Sequence, residues 1–316
     1  MTAAATPSGA PLAAPLDPAG VAAVLFAALV WGTTGTAATF APEVGPAAIG
    51  AAAMGIGGLM QAALAARGIL RHRLGLRQQA GLLMLGALSV AIYPLAFYGS
   101  MRLAGVTIGT VVTIGAAPVM TALIESLTDG TRLNRRWLAG AGLGILGIAL
   151  ISMAKTHSPA APDGASEVIG IALGLLGALT YAAYSWAARR LMLRGTPSHV
   201  AMGAVFGLGG LMLMPVLVLT GGAFLASTQN FLVGAYMALV PMFLGYVAFG
   251  YGLARIPATL AITLTLAEPV IAAMLAVAIV GERMAATGWI GVALVIGCLA
   301  VVTLPARRRR NRAAAR

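Results

Sequence analysis

Ten predominantly apolar stretches follow one another along the 316-residue chain, and charged residues collect between them. They are read at 20–40, 46–66, 79–99, 104–126, 136–154, 167–188, 199–219, 231–252, 257–279 and 286–304. Each is long enough to cross the roughly 30 Å hydrocarbon layer as a helix, which satisfies its own backbone in lipid. The links run mostly 4–12 residues and leave no room for a soluble domain. The pattern predicts an all-α polytopic membrane protein with ten transmembrane helices. Residues 1–18, rich in Ala, Pro, Gly and Thr with the single charge Asp17, read as a disordered tail. A cleaved signal peptide is not expected, since no Lys or Arg opens the chain and the first apolar run is too long.

Composition agrees: 60% of residues are hydrophobic and 9% charged, against roughly 45–50% and 25% in soluble domains. That excludes a soluble enzyme, a nucleic-acid reader and a disulfide scaffold. The net charge of +12 lies in the links and in a tail that holds Arg307-Arg308-Arg309-Arg310-Asn311-Arg312, which reads as topology and contact with anionic lipid. Ten spans put both termini on one side. Arg67, Arg71, Arg73, Arg77, Arg132, Arg135, Arg136, Arg189, Arg190, Arg194, Arg255 and six tail arginines then share that side, 17 of the 20 basic residues. Arg102, Lys155 and Arg283 lie opposite, with Glu43, Asp163, Glu167 and Glu282. The bias assigns both termini to the cytoplasm. Trp137 and Trp289 each open a span, as interfacial anchors do. Cys298 is the only cysteine, and His72, His157 and His199 fall in links or at a span edge, so no disulfide, metal or haem site is expected.

The chain repeats itself. Gly55-x-Gly57-Gly58-Leu59-Met60 returns 152 residues later as Gly207-x-Gly209-Gly210-Leu211-Met212. Pro118-Val119 returns 151 residues later as Pro269-Val270, and the same offset pairs Gly130-x-Arg132 with Gly281-x-Arg283 and Gly140 with Gly291. The division is a repeat at 20–154, an extracytoplasmic linker at 155–166, a second repeat at 167–304 and a basic tail at 305–316. Five spans per half is odd, so the second copy is inverted, a hallmark of secondary transporters with a site near mid-membrane. Gly140–Gly144 and Gly170–Gly174 have the spacing that lets apolar helices approach closely.

From about residue 20 to 304 the chain resembles the bacterial EamA-type transporters of the drug/metabolite transporter superfamily. The resemblance rests on the two five-span repeats and on three strings. Trp31-Gly32-Thr33-Thr34-Gly35 is similar to the family's Trp-Gly motif in span 1. Thr265-Leu266-Ala267-Glu268-Pro269-Val270 followed by Gly281-Glu282-Arg283 is similar to its Glu-Pro and Gly-Glu pair. Ala117-Pro118 and Asp129-Gly130 are the degenerate first-repeat versions. Members often carry an arginine in span 2, where this chain has Ala53, so no role of that arginine is carried over. The resemblance implies a bacterial inner-membrane exporter of amino acids, metabolites or drugs.

Ionisable residues at membrane depth are costly and mark function by default. Glu268 lies in mid-span 9, and Pro269 frees the Thr265 carbonyl. Two roles stay open for Glu268: a structural hydrogen bond at the kink or to a neighbouring helix, and proton coupling. Glu125, near the end of span 4, is expected to reach water or to pair with Arg132 or Arg136. Span 1 offers two faces, Trp31 with Thr34 and Thr33 with Thr36, and the spacing does not choose between them. Tyr181 and Tyr184 fall 150 residues after Trp31 and Thr34, which leans toward the first. Trp186, Tyr93 and Tyr246 complete the cavity candidates, with Pro94, Pro118, Pro241 and Pro269 as kinks or hinges. Such a cavity suits neutral, zwitterionic or cationic molecules, and the lack of mid-span Lys or Arg argues against multi-anions.

No Walker-type loop is present, so ATP does not drive transport directly. The expected mechanism is alternating access, spans 1–4 and 6–9 rocking while spans 5 and 10 support them. The expected partners are a small-molecule substrate, the lipid bilayer and, through Glu268, protons. No cofactor, metal or nucleic acid is expected, and monomer and homodimer both remain open. A passive facilitator is the alternative. An intramembrane enzyme lacks a histidine-based constellation.

Overall fold

In the computed structural model, which describes residues 17–131, 133–154, 164–281 and 284–304, ten helices have the length and apolarity to cross a membrane. They are α1 (Pro18–Ala38), α2 (Pro46–Arg71), α3 (Ala80–Gly105), α4 (Ile108–Asp129), α5 (Arg135–Met153), α6 (Ala165–Leu193), α7 (Ser198–Leu225), α8 (Thr228–Leu253), α9 (Ala258–Ile279) and α10 (Ala286–Thr303). The N-terminal tail to residue 16, the linker segment 155–163, Arg132, Glu282, Arg283 and the basic tail lie outside the described residues.

Local chemistry sets the helix ends. Pro18 starts α1 behind Asp17, whose carboxylate accepts from the amides of Ala19 (2.9 Å) and Gly20 (3.2 Å). Asn134 caps α5 through the Trp137 amide at 2.6 Å. The repeated glycines Gly130 and Gly281 close α4 and α9 with φ of 65° and 79°. Only glycine enters that left-handed region freely, which explains why this position recurs 151 residues apart. Several helices outrun their apolar windows: α2 continues to Arg71 and α6 to Leu193.

Packing follows the inverted repeat. The equivalent helices α2 and α7 cross each other, as do α5 and α10, while α1 neighbours α8 and α9 as its equivalent α6 neighbours α3 and α4, the α6 contact being the more extensive. The repeated glycine strings meet at the α2–α7 crossing. A Cβ on Gly58 would stand 2.2 Å from the Phe206 carbonyl oxygen, and one on Gly210 would stand 2.6 Å from the Gly55 carbonyl oxygen. Gly147 and Gly291 do the same where α5 meets α10. The shared offsets are thus imprints of the pseudo-symmetric contacts. Trp137, expected as an interfacial anchor, also donates to the Thr263 hydroxyl at 3.1 Å.

The alternation of ten spans brings Asp17 and Leu304 to one face. Every arginine among the described residues except Arg102 belongs to that face, called here the basic face. Asp17 lies 3.5 Å from Arg255, and Arg136 donates to the carbonyls of Val301 and Leu304.

Candidate functional site

Toward the middle of their lengths α1, α2, α3, α6, α8 and α9 enclose a chamber. Its wall carries Trp31 and Thr34 from α1, Gly50, Ala53 and Met54 from α2, and Tyr93, Pro94, Phe97 and Tyr98 from α3. Tyr181, Met242, Tyr246 and Glu268 complete it from α6, α8 and α9. About 50 Å³ is open to water-sized spheres, room for a few waters and far below the roughly 300–1,000 Å³ of ligand sites.

Each polar wall residue is held by a specific local device. Trp31 donates its indole N–H to the Pro241 carbonyl at 2.8 Å. Pro241 sits in a wide helical turn, Ala238–Leu244, and the missing side chain of Gly245 gives the indole space, since a Cβ there would lie 2.7 Å from Trp31 Nε1. Gly32 lets α1 close on α9: its Cβ would meet Ile271 at 2.7 Å and the Glu268 carbonyl oxygen at 3.0 Å. The Trp-Gly pair therefore joins α1 to both α8 and α9. Thr34 returns its hydroxyl to the Trp31 carbonyl at 2.7 Å. Tyr181 donates to the Thr265 hydroxyl at 3.0 Å.

Glu268 follows a break in α9 between Leu264 and Ala267. Pro269 supplies no amide to Thr265, and the Glu268 amide takes that carbonyl instead at 2.9 Å, tightening the turn. The Glu268 side chain faces the chamber, and its carboxylate has no hydrogen-bond or ion-pair partner among the described residues. The local or interhelical hydrogen bond considered for it is not made.

The structure separates the two faces of α1. Trp31 and Thr34 line the chamber, whereas Thr33 and Thr36 line a second, mainly apolar groove of about 640 Å³ between α1, α8 and α9 toward the face opposite the basic one. Thr33 and Tyr236 share a hydrogen bond of 2.7 Å in that groove. Tyr93, Tyr181, Tyr246, Pro94 and Glu268 also line the chamber. Tyr184 does not: it is fully buried one turn below Tyr181, its hydroxyl 2.8 Å from that of Tyr246. Trp186 lies on another face of α6, its ring under the Arg190 guanidinium at 5.7 Å. Pro118 lies inside an unbroken α4, and neither it nor Pro241 or Pro269 is among the wall residues.

Phe97, Tyr98, Gly50 and Met242 belong to the wall although the sequence reading did not include them. The helical spacing held a signal for two of these, because Phe97 and Tyr98 lie four residues beyond Tyr93 and Pro94. Gly50 is the complement of Tyr98, whose ring would be 2.8 Å from a Cβ there. Glu125 corrects an expectation. It is buried and takes hydrogen bonds from the amides of Ala258 at 3.0 Å and Thr259 at 3.2 Å, and from the Thr259 hydroxyl, so it neither reaches water nor pairs with Arg136. The first amides of α9, which have no partner within their own helix, outcompete both alternatives.

Chemically, the chamber offers aromatic faces, hydroxyls and one carboxyl. No Lys or Arg lines it, and Ala53 stands in its α2 wall. That set complements an amine or a neutral polar group within an apolar frame, and repels polyanions.

The model of the EamA-like transporter family matches the chain twice, at residues 18–153 and 168–304. An uncharacterized transporter, YwfM, of Bacillus subtilis is 29% identical over 293 residues, covering 92% of this chain and 96% of that one. A probable terminal-alkyne amino-acid exporter of Streptantibioticus cattleyicolor is 25% identical over 295 residues, 90% of this chain and 96% of that one. A solved crystal structure aligns with a TM-score of 0.75 at 23% identity over 92% of this chain and 98% of its own, a likeness of fold alone.

Proposed function

The chain belongs to the EamA-like transporter family, and we propose that it is a secondary active exporter of small neutral, zwitterionic or cationic organic molecules, amino acids among them. It works by alternating access around the Glu268 chamber, in the inner membrane of a bacterium, with its basic face in the cytoplasm. The reading is carried by the unpartnered carboxyl in an aromatic chamber between inverted halves, with no cation in the wall. An apolar site that holds one unbonded carboxyl at mid-membrane binds a proton or a cationic group. The name of the Streptantibioticus relative supports amino acids as cargo and export as direction. The small chamber fits a closed state that widens as cargo enters, with rocking of the α1–α4 and α6–α9 bundles and with α5 and α10 outside the wall.

Reconstituted protein tests this with two assays on one preparation. Glu268→Gln is expected to retain counterflow of its best amino-acid substrate while losing uptake driven by a proton gradient. Full gradient-driven transport by that variant ends the coupling role. Flux that neither saturates nor shows counterflow makes the protein a passive facilitator.

A further inference from the structure

The two halves differ chemically at equivalent places, and the difference falls on the two routes to the chamber. At the basic face the turn from α8 to α9 is held from both sides. Glu125 of α4 takes the amides of Ala258 and Thr259 and the Thr259 hydroxyl. Arg189 of α6, within electrostatic reach of Glu125 and Asp129, donates to the carbonyls of Leu253 and Ile256. Its neighbour Arg190 ties α6 to α4 through Asp129 at 2.8 Å. Between this clamp and the chamber lie Ala188 and the hydrogen-bonded Tyr184–Tyr246 pair, all buried.

The repeat places Ala276 151 residues after Glu125 and Thr39 150 residues before Arg189. Neither can supply a charge to hold the corresponding turn. At that end α1, α8 and α9 stand apart around the 640 Å³ groove, where the clamped end has α6 closed on α3 and α4. Open and closed arrangements thus coexist in one molecule, on opposite faces, in halves related by inversion. The charged clamp accompanies the closed one.

We propose that Glu125 and Arg189 are gate-positioning residues. By gripping the amide and carbonyl ends of one turn from two different helices, they fix α6 against α4 and seal the chamber from the basic face. The two halves then exchange arrangements to reach the opposite state. In that state α6 parts from α3 and α4, and because the turn spans both helices, one grip or the other must break. A carboxylate that accepts three bonds from a single turn has no intermediate geometry that keeps all of them, so the seal is made or broken as a unit. Ser185 Oγ and Trp186 Nε1 gain access to water in the same motion, having buried polar atoms without a hydrogen-bond partner in the closed arrangement. The proposal rests on the alternating-access reading given above.

The test uses the full chain with Cys298→Ala and one reporter at a time, Ala188→Cys below the chamber or Thr36→Cys in the groove at the opposite face. The reaction rate with a membrane-impermeant maleimide is read on purified protein. A glutamine at 125 brings its own N–H donors against two amides and a hydroxyl. Glu125→Gln is therefore expected to speed labelling at the Ala188→Cys reporter at least tenfold and to slow it at the Thr36→Cys reporter, as α1 closes on α8 and α9. Thr259→Val, which removes only the hydroxyl donor, shifts both rates in the same directions by less, and decides the matter should Glu125→Gln not purify folded. Rates that rise at both reporters mean loosening rather than gating, and unchanged rates mean a passive cap; either overturns the proposal. Counterflow by the chain without the latch substitutions is a separate readout: its absence sinks the transport reading, while the reciprocal labelling alone decides the latch.

Discussion

Replacing Gly58 by alanine adds one methyl group at the closest approach of α2 and α7. The new Cβ would stand 2.2 Å from the Phe206 carbonyl oxygen, 3.0 Å from the carbonyl carbon and 3.5 Å from the Gly210 Cα. All three atoms are backbone, so no side-chain rotation relieves the overlap, and α2 and α7 must separate by about 1 Å. A gap of that size forfeits a quarter to a half of each dispersion contact it opens. Gly55, Gly203, Gly207 and Gly210 share the same interface, where added Cβ atoms would meet α2 or α7 at 2.4–2.6 Å, so the separation is felt along the whole crossing. The expected loss is about 1–3 kcal/mol, the usual cost of overpacking. On soluble-domain scaling that is roughly 2–4 °C in Tm for each kcal/mol. The assay is thermal unfolding of detergent-purified protein, read as the fraction that stays monodisperse. Gly142→Ala is the control: its position in α5 has nothing within 4 Å, and alanine is the better helix former. Equal melting of the two variants would refute the claim that backbone contact at the repeat axis holds the halves together.

Two further outcomes are expected. Trp31→Phe keeps a ring against Tyr246 and Phe249 but leaves the Pro241 carbonyl without its indole donor, so it should lower stability by about 1–3 kcal/mol in the same melting assay; an unchanged melt would mean that the bond contributes nothing. Gly130→Ala forces a side chain into a backbone with φ of 65° and should cost about 1 kcal/mol, whereas Gly75→Ala, with open space around it, should not.

Hydropathy made the ten crossings legible, because length and apolarity alone decide what spans a bilayer. It marked membrane rather than helix, which is why α2 and α6 continue through arginine-bearing turns beyond their apolar windows. The repeat offsets exposed the inverted halves, and the structure gives the reason: glycines 152 residues apart face one another across α2 and α7. Periodicity could group Trp31 with Thr34 and Thr33 with Thr36, but not choose a face, since α1 has a cavity on both sides. Trp186 drew attention as an aromatic near two tyrosines, yet helical rotation carries it out of the chamber. Glu125 was misread because its partners, the first amides of α9, lie more than 130 residues away and carry no side-chain signature.

On the proposed function, cargo passes through the chamber between the two halves. Ala53→Phe puts a ring into a wall that encloses about 50 Å³ and alters neither Glu268, Glu125 and Arg189 nor any glycine of the two crossings. Trans-stimulated exchange of a labelled amino acid should be saturable in proteoliposomes of the parent chain and fall to the level of empty vesicles in Ala53→Phe, with the variant still folded by its melting profile. Undiminished exchange through the filled chamber would contradict the account.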